Sequence, residues 1–434
     1  MNNTLGLVFF PAFDWMISPN HPERKERLLY TRDQLTEEGI FDLRQIKEFK
    51  PSIAQMRDIE RVHIGPRLNQ LITQAHLVSA GGCITAAEAV MSKQVERAFS
   101  LVRPPGHHAM RLVQGIRGFC TINIEAVMIE YLRQHYGIKK VAIVDTDVHH
   151  GDGTQEIYYN DPDTLFISFH QDGRTLYPGS GFIEELGTPY GYGSTINLPL
   201  LPETGDAGIH LLFDKLIRPI LDDFQPDIII NSAGQDNHFS DPLASMSFTA
   251  QGYARLADKL KADIAVLEGG YSIQKALPYI NTGIILAMAN MDYSKVVEPQ
   301  SPTSLVQPEN CTRHIHRLIN EVGEIWSSRQ TIRNNMLQAC GGIYTKNKHI
   351  YYDESGISEN QQEINYYCDE CAGYSTIVSK ACGLTSFVAL MPINCCPKCC
   401  RKAYDSAHAA NKSSKYTHIF IQDRIQDTLL NYRS

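Results

Sequence analysis

Short apolar runs rich in Val, Ile, Leu and Phe recur at residues 5–10, 98–102, 141–144, 164–169, 227–231 and 263–267. Most lack polar alternation, the pattern of strands buried on both faces of a parallel sheet. Between them, residues 84–93, 124–134, 209–224 and 249–260 carry apolar positions at helical spacing. Strands alternating with helices predict an α/β layered fold. In such folds the ligand site lies outside the carboxyl ends of the strands. Residues 298–310, with their prolines, read at first as a linker. Beyond them, Ile315, Leu318, Ile319, Val322, Ile325 and Trp326 share one helical face, so that helix is expected to dock back on the preceding domain. The expected division is one domain over 1–328, a polar linker over 329–365, a cysteine module over 366–402 and a tail over 403–434, partly helical or mobile.

The 434 residues are 43% hydrophobic and 20% charged, which excludes a largely disordered or collagen-like chain. The net charge of −8 gives no global basic field toward nucleic acid or anionic lipid. The first 15 residues lack a basic leader, and Pro11 and Asp14 interrupt their apolar run, so no secretory signal is expected. The most apolar stretch, 282–291, falls short of the ~20 residues that a membrane span needs. These features predict a cytoplasmic or nuclear protein with no membrane partner; leaderless export into a host cell stays compatible with them.

The chemistry sits where strand runs stop. Residues 141–153 read VAIVDTDVHHGDG. Asp147 and His149, two apart in extended chain, point to one side and suit Zn²⁺ or a similar metal. Asp236, in the segment SAGQDNH after another buried run, is the candidate third ligand. His107 and His108 follow a Pro-Pro turn and suit a general acid/base pair oriented by Asp145 and Asp152; a surface or metal-binding pair is the blander alternative. Gly118-Phe119 offers a carbonyl and a ring to a narrow channel, or ordinary core. Tyr271, after Gly-Gly, suits a donor to an oxyanion.

In chain order the motifs are HPE (21–23), RPPGHHA (103–109), GFC (118–120), DTDVHHGDGT (145–154), SFHQDGRTLYPGSG (168–181), SAGQDNHFSDPL (232–243) and LEGGY (267–271). Together they resemble the zinc-dependent histone deacetylase family, closer in wording to its class II branch and to the bacterial histone deacetylase-like amidohydrolases. The resemblance covers about residues 1–328. It implies an arginase/deacetylase-like three-layer α/β fold with a central, mostly parallel sheet. It implies a catalytic zinc on Asp147, His149 and Asp236. His107 and His108 would be backed by Asp145 and Asp152 respectively, with His108 the proton shuttle and His107 mainly electrostatic. Tyr271 would be the oxyanion donor. Gly118, Phe119, Tyr177 and Leu243 would contact the substrate, Phe119 and Tyr177 flanking an acyl-lysine tunnel. A structural potassium would use Asp145, Ser168 and the backbone carbonyls of Asp147, His149 and Phe169. Tyr177 stands where the family usually has Phe, Gln235 and Asn237 flank Asp236 where apolar or small residues are commoner, and Leu243-Ala-Ser replaces Leu-Gly. These departures bear on acyl and sequence preference.

Of the 11 cysteines, only Cys83 and Cys120 fall in the first 310 residues, and seven crowd into 368–400. Cys368-x2-Cys371 and Cys396-x2-Cys399, 24 residues apart, match a Cys₄ structural zinc site of ribbon type. Cys395 and Cys400 leave the register open; Cys396/Cys399 is preferred, and Cys382 is core or an alternate ligand. Lys398, Arg401, Lys402, Lys412 and Lys415 make this region locally basic, compatible with nucleic acid, with a protein or chromatin partner, or with a solvated face.

The leading expectation is a zinc-dependent lysine deacetylase acting on acetylated proteins, histone tails among them. The runner-up is an amidohydrolase of small acetylated amines such as acetylpolyamines. A binding protein with a dead catalytic domain would require a missing ligand, histidine or tyrosine, and none is missing. A two-metal arginase-like hydrolase would require further ligands at the same strand ends.

Overall fold

A computed structural model describes residues 4–299 and 305–432. Eight strands form the first sheet: β1 (Leu5–Phe10), β2 (Ile46–Phe49), β3 (Arg97–Val102), β4 (Val141–Asp145), β5 (Thr164–Gln171), β6 (Thr195–Leu200), β7 (Ile228–Ala233) and β8 (Ile264–Leu267). Their order is β2-β1-β3-β8-β7-β4-β5-β6, with every pairing parallel. Alternate residues of one strand serve opposite layers. Ala142 and Val144 pack into one apolar cluster, with Ile209, Leu212, Leu256 and Ile284. Val141 and Ile143 pack into the other, with Ile84, Ala87, Val127 and Leu132. Burial on both faces is why these strands lack polar alternation. The two strands that the apolar pattern missed, β2 and β6, are the edges of the sheet. β2 carries Lys47 and Glu48, and β6 carries Asn197 and Pro199, as edge strands tolerate.

Helix boundaries follow local chemistry. Helix Ile124–Tyr136 opens on Asn123, whose side chain accepts from the Ala126 N–H, and closes on Gly137 at φ 67°. The helix expected over 209–224 is instead broken into Asp206–Leu212, a π-helical turn Phe213–Ile217 and Arg218–Phe224. Pro219, which has no N–H to donate, follows the π turn. Helix Glu309–Ala339 buries Ile315, Leu318 and Val322 against the first domain. Of the proline-containing stretch before it, residues 300–304 lie outside the described residues. Among the described residues, no helix is long and apolar enough to cross a membrane.

The C-terminal quarter differs from the expected linker, module and tail. Residues 329–365 hold the end of helix Glu309–Ala339, then β9 (Ile343–Tyr352) and most of β10 (Ile357–Tyr366). These strands join β11 (Tyr374–Ala381), β12 (Leu384–Met391), β13 (His418–Asp423) and β14 (Thr428–Asn431) in a second sheet. Its order is β14-β13-β12-β11-β10-β9, antiparallel except for β12–β13. Residues 403–434, read as a tail, thus supply the rest of helix Pro397–Lys412 and two strands of the sheet. β9 was hidden because lysines hold two of its inward positions. Lys348 turns in between Glu156 and Glu363, at 2.7 and 2.6 Å, and Lys346 lies over the Tyr159 ring. The two sheets are fastened together. Met110 packs with Ile350, Tyr352 and Ile357; Ile64 and Leu112 pack with Ile377, Val388 and Phe420. Arg61 grips Asp427 through both carboxylate oxygens at 2.6 Å.

Candidate active site

β4 ends in Asp145, and the chain then turns through Asp147 and His149. Asp236 arrives on the loop after β7, the neighbour of β4. The ligand atoms of Asp147, His149 and Asp236 all lie within 4.8 Å of one another. The His149 Nδ1 is 3.0 Å from Asp147 Oδ1 and 3.1 Å from Asp236 Oδ2. Backbone amides orient the carboxylates: Val148 N–H donates to Asp236 at 2.8 Å, and Gly269 N–H donates to Asp147 at 2.7 Å. Burial, with Asp147 alongside, pushes Asp236 up to about 6. Two carboxylates crowded out of water beside an imidazole are a donor set suited to a zinc ion. The approach is tight, since a Cβ on Gly234 would come 2.1 Å from Asp147 Oδ2, and one on Gly269 would come 2.2 Å from Asp236 Oδ2.

Beside this cluster stand two His–Asp pairs. His107 Nδ1 is 3.2 Å from Asp145 Oδ2, and His108 Nδ1 is 2.7 Å from Asp152 Oδ1. The rings lie 4.1 Å apart. Their electrostatics diverge. Burial pulls the His107 pKa down, but the charges of Asp147 and Asp145 outweigh it and raise that pKa well above the ordinary value. Burial and the His107 charge push His108 down to about 3, despite its bond to Asp152. These directions favour a charged His107 beside a neutral His108. The other oxygen of Asp152 takes Arg117 Nε at 2.9 Å. The turn before the dyad is set by Glu268, which accepts from Gly106 N–H at 2.7 Å and His107 N–H at 3.1 Å.

Aromatic rings frame the approach. Tyr177 stands 5.2 Å from the His108 ring, and Phe119 stands 5.7 Å from Tyr271. Gly118 and Phe119 both have left-handed backbone, at φ 49° and 70°. For Phe this is a costly conformation of the kind that concentrates at functional sites. A Cβ on Gly118 would sit 2.3 Å from His108 Cδ2. Tyr271 is buried, its N–H donating to Asp241 at 2.7 Å and its ring lying 4.9 Å from the Arg27 guanidinium. Asp241 also caps the turn carrying Leu243, accepting the Leu243 N–H at 3.0 Å.

A histone deacetylase domain model matches residues 65–288, the span that holds both His–Asp pairs, the three-ligand cluster and Tyr271. The chain belongs to the histone deacetylase family. It is 46% identical over 325 residues to a probable deacetylase of Archaeoglobus fulgidus, an alignment of 68% of this chain and 89% of that one. It is 35% identical over 250 residues to a histone deacetylase-like amidohydrolase of Pseudomonas aeruginosa, covering 55% and 64% respectively. The crystal structure of the HDA15 HD domain superposes with a TM-score of 0.66 at 27% identity, over 78% of this chain and 99% of that one.

Several residues that shape the histone deacetylase site escaped the sequence reading. Arg103 binds Glu23 at 2.7 and 2.6 Å and takes the Pro11 and Ala12 carbonyls at 2.8 Å. Arg27 joins Glu23 at 3.1 Å and donates to the Gly270 carbonyl at 2.8 Å. This buried network ties the N-terminal loop to the turn before Tyr271. Arg27 has helical surroundings and carried no signal; Glu23, Arg103 and Glu268 lay inside quoted motifs without a role. Of the residues assigned to potassium, Asp145 and Ser168 are register partners on β4 and β5, and the Ser168 hydroxyl pairs with His170 Nδ1 at 2.9 Å.

A second donor set lies in the second domain. Cys368, Cys371, Cys396 and Cys399 bring their sulfurs within 4.8 Å of one another. Gly373 N–H donates to Cys371 Sγ at 3.2 Å; the Cys399 amide helps lower Cys396 to about 7, while burial raises Cys371 and Cys399. Cys395 is buried in this domain's core, Cys400 points back to the Cys395 carbonyl, and Cys382 is exposed.

Proposed function

We propose that this chain is a zinc-dependent protein lysine deacetylase that hydrolyses N-ε-acetyl-lysine, with histone tails among its substrates. The observation that carries the reading is the buried three-ligand cluster of Asp147, His149 and Asp236 standing beside both His–Asp pairs, with His107 Nε2 3.8 Å from Asp147 and the His108 ring 6.0 Å from that of His149. Zinc held there would polarise the acyl carbonyl and make water acidic enough to attack it. His108, neutral and aligned by Asp152, takes the proton of the attacking water and returns one to the departing lysine amine. His107, a cation beside Asp145, stabilises negative charge that develops next to it. The Tyr271 phenol, kept protonated chiefly by burial, donates to the oxyanion. Phe119 and Tyr177 hold the apolar stem of the acyl-lysine, the Gly118 carbonyl accepts from its amide, and Leu243 lines the mouth.

Asp145 and Ser168, with the backbone carbonyls of Asp147, His149 and Phe169, are assigned a structural potassium on the family resemblance. The four clustered cysteines are assigned a second, structural zinc. The exposed face bearing Lys398, Arg401 and Lys402 is the surface offered to an acidic protein or chromatin partner. The Pseudomonas relative is named an amidohydrolase, a term wider than protein deacetylation, and hydrolysis of small acetylated amines is the second reading. Zinc quantification beside turnover of an acetyl-lysine peptide and of acetylputrescine tests both. Two zincs per chain with preference for the peptide is the expected result; preference for acetylputrescine overturns the protein-substrate reading.

A further inference from the structure

The tip between β9 and β10 belongs to the second domain, yet it sits on the two loops that frame the channel of the first. Asp353 Oδ1 accepts from Gly118 N–H at 3.1 Å and from the Tyr177 hydroxyl at 3.0 Å. Ser355 Oγ accepts from Ile116 N–H at 2.9 Å, and the Tyr351 carbonyl accepts from Arg117. Glu354 lies 3.7 Å from His21, whose ring meets Phe119 edge-on at 4.2 Å. The seat is close, since a Cβ on Gly115 would come within 2.7 Å of Ser355. Phe119 and Tyr177 come from loops more than fifty positions apart, and Asp353 is the side chain that bonds to both loops.

We propose that the tip at residues 351–355 forms part of the substrate-channel rim, and that Asp353 is a positioning residue that holds Gly118 and Tyr177 at the spacing the acyl-lysine stem requires. This rests on the reading of Phe119 and Tyr177 as channel walls. The strained backbone at Phe119 gives the brace its purpose, because a non-glycine residue persists in the left-handed region only where its surroundings over-determine it. The second domain thereby completes the active site of the first.

Asparagine at 353 keeps the oxygen that accepts both bonds and removes the charge, which separates positioning from charge recognition. With an acetyl-lysine peptide and the full chain, Asp353→Ala, which removes the acceptor of two bonds, is expected to raise KM by at least about fivefold, the equivalent of one net hydrogen bond. Its kcat and zinc content stay close to wild type, and Asp353→Asn restores KM. Tyr177→Phe, which deletes one of the two donors, raises KM alone and adds little in the Asp353→Ala background. An unchanged KM in Asp353→Ala overturns the proposal, as does an Asn variant as impaired as Ala. Should Asp353→Ala fail to fold, Tyr177→Phe with unchanged KM overturns it equally. A wild-type enzyme inert on the peptide but active on acetylputrescine overturns the protein-substrate reading instead, and the same variants measured on acetylputrescine then decide the role of Asp353.

Discussion

Replacing Tyr271 by Phe removes one oxygen and keeps the ring. The ring is what the fold uses: it packs under Arg27 and against Phe119, and its loop is held through the backbone by Asp241. The hydroxyl has no hydrogen-bond partner among the described residues, so its removal leaves no buried group newly unpaired and should change stability by less than about 1 kcal/mol. Burial pushes the phenol pKa well above its ordinary value, with Arg27 pulling the other way, so the group is a donor throughout the working pH range. An oxyanion donor of this kind contributes about 2.7–4 kcal/mol, so kcat should fall about 10²–10³-fold. The assay is steady-state hydrolysis of an acetyl-lysine peptide beside metal analysis of the same preparation. A variant that carries full zinc and retains kcat within about threefold of wild type would refute the oxyanion role.

Asp236→Asn keeps the acceptor for Val148 N–H but loses an anionic ligand; metal analysis should show one zinc fewer and no deacetylation, and unchanged stoichiometry would exclude Asp236 as a ligand. Cys399→Ser should release the other zinc and lower the melting temperature by more than about 4 °C, whereas an unshifted melt would mean that this cluster is no structural site. Burial pushes His63, His76 and His150 down to about 4, and His170 to about 3. Each gains a proton below about pH 6.5 when unfolded but stays neutral in the fold until far lower pH, so its contribution is complete above pH 6.5 and lost on acidification. The slope is about 1.4 kcal/mol per pH unit for each extra proton bound by the unfolded chain. Buried carboxylates raised in the fold, Asp236 to about 6 and Asp241 and Glu125 to about 7, oppose this slope, so the check is made residue by residue: the imidazole NMR resonances of these four histidines should stay neutral down to about pH 5, and one titrating near 6.5 would contradict the reading.

The interior of the first sheet was legible because burial on both faces leaves an unbroken apolar run, as in β4 and β5. The active-site motifs were legible for a related reason: ligands and dyad sit within a few residues of strand ends, where topology confines them. Edges were not legible, because β2 and β6 mix apolar with polar residues. Most of the second domain was not legible either. In β9 the inward positions hold Lys346 and Lys348, whose partners Tyr159 and Glu156 lie nearly two hundred residues earlier. Asp353 shows the same limit at the site itself. A carboxylate in a polar stretch carries no local sign that it will meet Gly118 and Tyr177, and only the pairing of β9 with β10 puts it there.

The fastening of the two sheets bears on how the protein can be handled. A fragment cut after Ala339 would uncover Ile64, Met110 and Leu112, now shielded by β9–β14, and would leave the buried Arg61 without Asp427. Such a fragment would present a greasy, charge-frustrated face to solvent and invite self-association during expression. The family homology region is thus a poor guide to where this polypeptide can be divided.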